Sequence, residues 1–230
     1  MFNLKKIQKR STEAQAADTL RDAIVSGTIP LGTRLTEVAS AELLSVARST
    51  IRAAFNQLAQ EGLLVQTPYT GWSVMTLSSN DAWELYTLRS SLEALAARLA
   101  ASRVKTEGLR GRSHVGISTA FQYLTKACKS QDALGMAKAD MAFHRAIVDA
   151  SGHSRLVAQY SRIQHQISIY IQSSDALVEE RSEIYAQHLP LLAAIEAGNE
   201  AEAAKAAVQH NEMEGAVLVN HLKSREEIPT

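Results

Sequence analysis

The stretch VARSTIRAAFNQLAQEGLLVQTPYTGWSVMTL, residues 46–77, constrains the fold more than any other part of the chain. Ile51, Ala54, Phe55 and Leu58 recur at helical spacing, and Gly62 closes the run. Two β-type runs follow, LLVQT and WSVMTL, and the turn Pro68–Gly71 between them marks a hairpin. Upstream, Ala16, Leu20, Ala23 and Ile24 define a helix over Thr12–Ser26. Thr12 and Gln15 form a capping box at its start, and Gly27 is a left-handed stop. Pro30 and Gly32 turn the chain, and a short helix is expected over Thr36–Leu44.

Helix, loop, helix, helix and hairpin in that order specify a winged helix-turn-helix with a two-stranded wing. In that arrangement the first turn of the last helix enters the DNA major groove. Donors must then cluster at the start of that helix, and Arg48, Ser49, Thr50 and Arg52 do so. Arginine can read guanine edges or neutralise phosphate, while hydroxyls and helix-start N–H groups position the backbone.

After Ser79 the pattern changes to long helices. Leu85, Leu88, Leu92, Leu95 and Leu99 repeat along one face of the first, and residues 104–116, with three glycines, read as a loop. Further helices are expected near 117–129, 132–151, 154–173, 177–197 and 200–222; Gly198 stops one, and Asn199 with Glu202 caps the next. The chain therefore reads as mainly α, with a winged domain at 1–77 and an all-α antiparallel bundle at 78–230.

Formal charge is zero, and residues 1–76 carry eight Lys/Arg against six Asp/Glu, so bulk charge announces no partner. A single cysteine, Cys128, excludes an internal disulfide and suits a reducing compartment. No run is long enough to span a membrane and the N-terminus lacks a signal-peptide core, which points to a cytoplasmic protein with no membrane partner.

Seven histidines are present, and His144 stands four residues after Asp140 on one helix face, where carboxylate and imidazole can converge on a cation. His188 and His210 flank the Gly198–Asn199 break at similar distances, so an antiparallel pair brings them to one height. Spacing alone leaves both readings open, metal ligands or ordinary core and surface histidines. Arg89 four residues before Glu93 is, by itself, a helix pair worth about 0.3–0.5 kcal/mol.

The segment GTRLTEVASAELLSVARSTIRAAFNQLAQEGLLVQTPYTGWSVMTL resembles the DNA-binding domain of GntR-type bacterial transcription regulators. Pro30, Gly32, Arg34, Leu35, Glu37, Val46, Arg48, Arg52, Leu58, Glu61, Gly62, Leu63 and the wing glycine Gly71 carry the likeness. LYTLRSSLEALAARLAA is similar to the opening of the effector domain in the FadR-like branch. The chain departs from the family at Val38, Ser40, Ser45 and Ala47, where arginine, leucine, glycine and serine are usual.

The resemblance implies DNA contacts by Arg34, Arg48, Ser49, Thr50, Arg52 and Gly71. Asp140, His144, His188 and His210 match the ligand set of the metal-binding (FCD-type) version of the effector domain, implying a divalent ion: Zn, Ni, Mn or Fe. It also implies that Arg89 grips a carboxylate effector. His153 falls at a helix break and suits a turn role, while His165 is a candidate pocket residue. The expected function is a ligand-responsive transcription regulator that binds a short inverted-repeat operator as a homodimer and is not an enzyme. A metalloenzyme with an accessory winged module and an effector-free architectural protein are the alternatives. Neither explains the Asp/His set together with the absence of a catalytic constellation.

Overall fold

Ser11, rather than Thr12, starts the first helix: its hydroxyl accepts the Ala14 N–H, and Thr12 is already helical. Gln15 reaches back to the Arg10 carbonyl. The computed structural model describes residues 10–67, 71–130 and 132–227. It divides the chain into two compact units, Met1–Thr76 and Leu77–Thr230.

The first unit contains α1 (Thr12–Val25), β1 (Arg34–Leu35), α2 (Glu37–Leu44), α3 (Arg48–Gln60), β2 (Leu64–Thr67) and β3 (Gly71–Val74). The β2–β3 hairpin expected from the sequence is present, although the Pro68–Thr70 part of its turn lies outside the described residues. The wing has one strand more than expected. β1 pairs antiparallel with β3, through Arg34 opposite Ser73 and Leu35 opposite Trp72, giving the order β1-β3-β2. Two residues are too short for alternation to reveal a strand. Trp72 packs edge-on against Phe55 with ring centroids 5.5 Å apart, which fixes the wing to α3. Arg21 ties α1 to the end of α3 by a two-pronged pair with Glu61, at 2.6 and 2.7 Å, and also donates to Asp18.

Two of the departures from the family leave marks on the backbone. Ser45 holds φ 53°, a left-handed conformation that glycine adopts without strain. Ala47 has an N-cap backbone conformation at α3 but no side chain to accept a hydrogen bond.

The second unit contains α4 (Ser79–Glu107), α5 (Arg112–Ala127), α6 (Ala133–Ala150), α7 (Ser154–Asp175), α8 (Arg181–Glu196) and α9 (Glu200–Glu226). The expected loop at 104–116 shrinks to the stretch between α4 and α5, with Gly116 inside a helix. Glu107 makes this possible: its carboxylate accepts both the backbone N–H and the hydroxyl of Ser113, capping α5 where Gly111 offers no side chain.

Of the leucine repeat of α4 only Leu85 is buried; Leu88 is 47% exposed and Leu92, Leu95 and Leu99 are only half-buried. The rest of the buried face is mostly small or polar, including Ala82, Arg89, Glu93, Ala96, Ala97 and Ala100. Alanine lets helices approach closely, and Gly215 of α9 extends this: a Cβ there would lie 2.9 Å from the Tyr86 side chain. A side chain at 215 would force α9 away from α4.

Ala47→Ser should add the missing cap and stabilise the first unit by about 0.5–2 kcal/mol. Chemical denaturation in a Trp83→Phe background, where Trp72 is the remaining tryptophan, reads this directly; an unchanged or lower midpoint contradicts the assignment of Ala47 as an uncapped helix start.

Candidate functional site

At the start of α3 the chain exposes Arg48, Ser49 and Arg52. Arg52 does not stand alone. Its Nε and one Nη donate to both carboxylate oxygens of Glu37 at 2.9 and 2.7 Å, linking α3 to the first turn of α2. That hydrogen-bonded pairing holds Glu37 below the usual carboxylate range. Arg34 is exposed in β1, and Gly71 is exposed at the start of β3 with φ 93°. Thr50 departs from the expected group: it is buried against its own unit, one helical step round from Arg48 and Ser49.

The second site lies inside the helical unit. His144 of α6 meets His188 of α8 and His210 of α9, with Nε2 to Nε2 separations of 3.1 and 3.2 Å. Asp140, one turn before His144, places its carboxylate oxygens 3.3 Å from His144 Nε2 and 3.2 Å from His188 Nε2. All four residues are buried.

The partners of the other ring nitrogens settle what these Nε2 atoms present. His188 Nδ1 lies 2.6 Å from the Ile184 carbonyl, and His144 Nδ1 lies 2.9 Å from Glu93 Oε2. The Ile184 carbonyl only accepts, so His188 Nδ1 carries hydrogen, while His144 Nδ1 faces the Glu93 carboxylate as an ion pair. A neutral imidazole protonated at Nδ1 offers a bare lone pair at Nε2. Burial opposes a charge on His144, but Glu93 and Asp140 outweigh it and raise its pKa to about 9, so without an ion its Nε2 carries a proton facing His188 Nε2 at 3.1 Å and Asp140, a place that a divalent cation can take. Imidazole nitrogens bound at 2.0–2.1 Å to one ion are separated by about 2.9–3.4 Å for octahedral to tetrahedral angles. The residues therefore fit a divalent ion, and the Ile184 carbonyl and Glu93 stand where outer partners would orient the histidines for one.

Glu93 is the residue that sequence reasoning undervalued. The expected Arg89–Glu93 pair exists, but it is buried rather than solvated, with Arg89 only 1% exposed. Glu93 Oε1 accepts Arg89 Nε at 2.9 Å and the Tyr160 hydroxyl at 2.7 Å; Oε2 accepts Asn211 Nδ2 at 3.0 Å. Burial opposes ionising Glu93, but the Arg89 and His144 charges outweigh it and hold the carboxyl well below its usual range. Arg89 also donates from Nη1 to Glu214 Oε2 at 2.9 Å, while its Nη2 has no hydrogen-bond partner. Glu214 in turn lies 3.3 Å from His210 Nε2. Glu214 follows His210 by four residues, the same spacing as Asp140 and His144, and that was the available sequence signal.

Among the remaining histidines, His153 caps α7 by accepting the Leu156 N–H at Nδ1. His165 is half-buried on α7.

Electrostatically the centre is short of positive charge. Glu93, Asp140, Asp175 and Glu214 are all buried, with Arg89 the arginine among them. Burial and the charges of Asp140 and Glu214 push Asp175 up to about 9, although Arg89 pulls the other way. Burial likewise raises Glu214, with Asp140 adding to it against Arg89. In the metal-free protein Asp175 relieves part of the imbalance by holding a proton.

Residues 12–74 match the family described as bacterial regulatory proteins, gntR family, and residues 84–213 match the FCD domain. The chain belongs to the GntR family of bacterial regulators. Its effector-binding unit is of the FCD type, and the DNA-binding unit precedes it. The D-xylose utilization operon transcriptional repressor of Paenarthrobacter nicotinovorans is 30% identical over 211 residues, covering 88% of both chains. The gluconate operon transcriptional repressor of Bacillus subtilis is 29% identical over 172 residues, covering 74% of this chain and 68% of its own. The fold matches a GntR transcriptional regulator from Rhodococcus sp. RHA1 with a TM-score of 0.77 at 23% identity, over 92% of this chain and 99% of that one. E. coli McbR/YncC matches with a TM-score of 0.74 at 19% identity, over 93% of this chain and 99% of that one. Among the described residues no helix is long and apolar enough to cross a membrane.

The raised Asp175 carboxyl has a definite pH signature. Folding of the metal-free protein takes up a proton at Asp175 between the ordinary carboxylate range and about 9, so this group's contribution to stability falls as pH rises across that window. In chelated protein at pH 8, Asp175→Asn should raise the melting temperature by at least about 2–4 °C, equivalent to about 1 kcal/mol. The gain should vanish near pH 4. A gain that is equal at both pH values contradicts the assignment.

Proposed function

We propose that this GntR regulator holds one divalent metal ion on Asp140, His144, His188 and His210, and that a small organic acid binds there as effector. The observation that carries the reading is the convergence of three buried imidazole nitrogens, His144 Nε2 lying 3.1 Å from His188 Nε2 and 3.2 Å from His210 Nε2, with the Asp140 carboxylate beside them. Three imidazoles and a carboxylate suit Zn, Ni, Mn or Fe, with availability selecting among them. The neighbours Glu93 and Arg89 are tied to each other, and Glu214 is tied to Arg89. Coordination positions beyond the four side chains take the effector's carboxylate, with Arg89 holding the same anionic group. The gluconate operon repressor among the relatives is named for a sugar acid, which supports a carboxylate effector here.

The first unit reads DNA through Arg48, Ser49 and Arg52, with Arg34 and Gly71 beside the backbone and Thr50 confined to packing. The protein pairs through its helical unit as a homodimer, so two equivalent reading helices meet the two halves of a short inverted repeat. Effector binding shifts the balance between arrangements that differ in operator affinity.

Two measurements test this. Wild-type protein prepared without chelator should carry about one divalent ion per chain. His144→Ala should lose most of it and blunt the response to effector, while its operator affinity without effector stays intact. Wild-type protein that contains no metal and takes up none on titration sinks the metal reading. Separately, the Arg48→Ala, Arg52→Ala double variant should bind operator at least about ten-fold more weakly. Unchanged affinity in that variant refutes the assignment of the reading helix.

A further inference from the structure

A ligand carboxylate held jointly by Arg89 and the metal needs a place between the guanidinium and the histidine nitrogens. In the structure that place is filled. One oxygen of Glu214 accepts Arg89 Nη1 at 2.9 Å, and the other lies 3.3 Å from His210 Nε2. Glu214 also joins Asp140 and His188 in a group whose ligand atoms lie within 4.8 Å of one another.

We propose that Glu214 is a built-in occupant of the effector's anion seat, an internal carboxylate that an incoming organic acid must displace. The inference rests on the metal and effector reading above and assigns Glu214 a role that the expected ligand set lacks.

Three observations support displacement rather than a fixed structural role. First, Glu214 engages Arg89 through Nη1 alone, leaving Nη2 buried without a partner. A free carboxylate can approach the fork with both oxygens and satisfy both nitrogens, which a side chain tethered to α9 does not do here. Second, Glu93 already holds Arg89 through Nε, so the guanidinium keeps its orientation when Glu214 leaves. Third, space is limiting. The cleft beside Glu214, walled by Asp175 and bordered by Val178, Met213 and Val217, has a volume of about 30 Å³, room for water and not for an organic acid. Through this cleft an acid can enter only if a resident group yields, and Glu214 both lines the cleft and sits on Arg89.

The consequence is a threshold. Effector affinity is the difference between two carboxylates competing for one seat, and only an acid with further contacts outcompetes the tethered one. Displacing Glu214 also removes a tie between α9 and α4, the two helices brought together at Gly215 and Tyr86.

The test uses the full chain loaded with cobalt(II), whose visible absorption reports coordination, titrated with acetate as a bare carboxylate at constant pH. Wild type should take up cobalt and bind acetate weakly. Glu214→Ala should bind acetate at least about ten-fold tighter, and Glu214→Gln, which keeps the shape and removes the charge, should also bind it more tightly. If the alanine variant does not fold, the glutamine variant decides. Cobalt uptake with acetate affinity equal to or below wild type in the folded variants overturns the inference. Absence of cobalt uptake by wild type overturns the metal reading, and this inference with it.

Discussion

The helical unit is organised around a deficit of positive charge in its own interior. Four buried carboxylates, those of Glu93, Asp140, Asp175 and Glu214, surround one arginine and three histidines. Burying a charge costs several kcal/mol unless it is paired, and removing one partner of a buried pair costs about 3–5 kcal/mol. Arg89 answers for Glu93 and Glu214 together. Asp140 has no conventional hydrogen bond to either oxygen and depends on the histidines facing it. The proposed divalent ion would complete this arrangement, and without one the centre must hold protons instead. Arg89 is consequently a poor target for a clean functional test, because its loss strands two buried carboxylates.

The proposed metal and effector seats and the helix packing are connected through few residues. Glu93 touches His144 on one side and Arg89 on the other, while Asn211 and Tyr160 hold it in place. Gly215 and the alanines of α4 allow the approach of α9 that puts His210 and Glu214 at the same centre. Any change of occupant at this centre acts on the α4–α9 contact, which is the physical route by which a small ligand can bias a large helical unit. The winged unit uses different means: the Arg21–Glu61 pair and the Trp72–Phe55 contact hold its helices and wing, and Glu37 fixes the direction of Arg52.

Much of the fold was legible because it is written in local rules. Pro30 and Gly32 broke the chain where expected, and Asn199 caps α9 through the Glu202 N–H. The misreadings have physical causes. Ser11 and Thr12 are both good caps, and pattern alone does not choose between them. The wing's third strand is two residues long. The α5 cap comes from Glu107 on the preceding helix, so the glycine-rich stretch looked emptier than it is. The leucines of α4 outweighed its alanines by hydrophobicity, although close packing selects small residues and the buried stripe also carries Arg89 and Glu93. Asp140, His144, His188 and His210 were legible as a set through resemblance and hairpin symmetry. Glu214 was not, because a glutamate four residues from a histidine reads as a solvated helix pair until burial is known.

X-ray absorption at the metal edge tests the central claim most directly, because it counts the imidazoles on the ion. The account predicts one ion per chain with three imidazole nitrogens at about 2.0–2.1 Å and oxygen ligands completing the shell, as for a zinc site. An ion bound by fewer than three imidazoles, or one surrounded mainly by water, would contradict it.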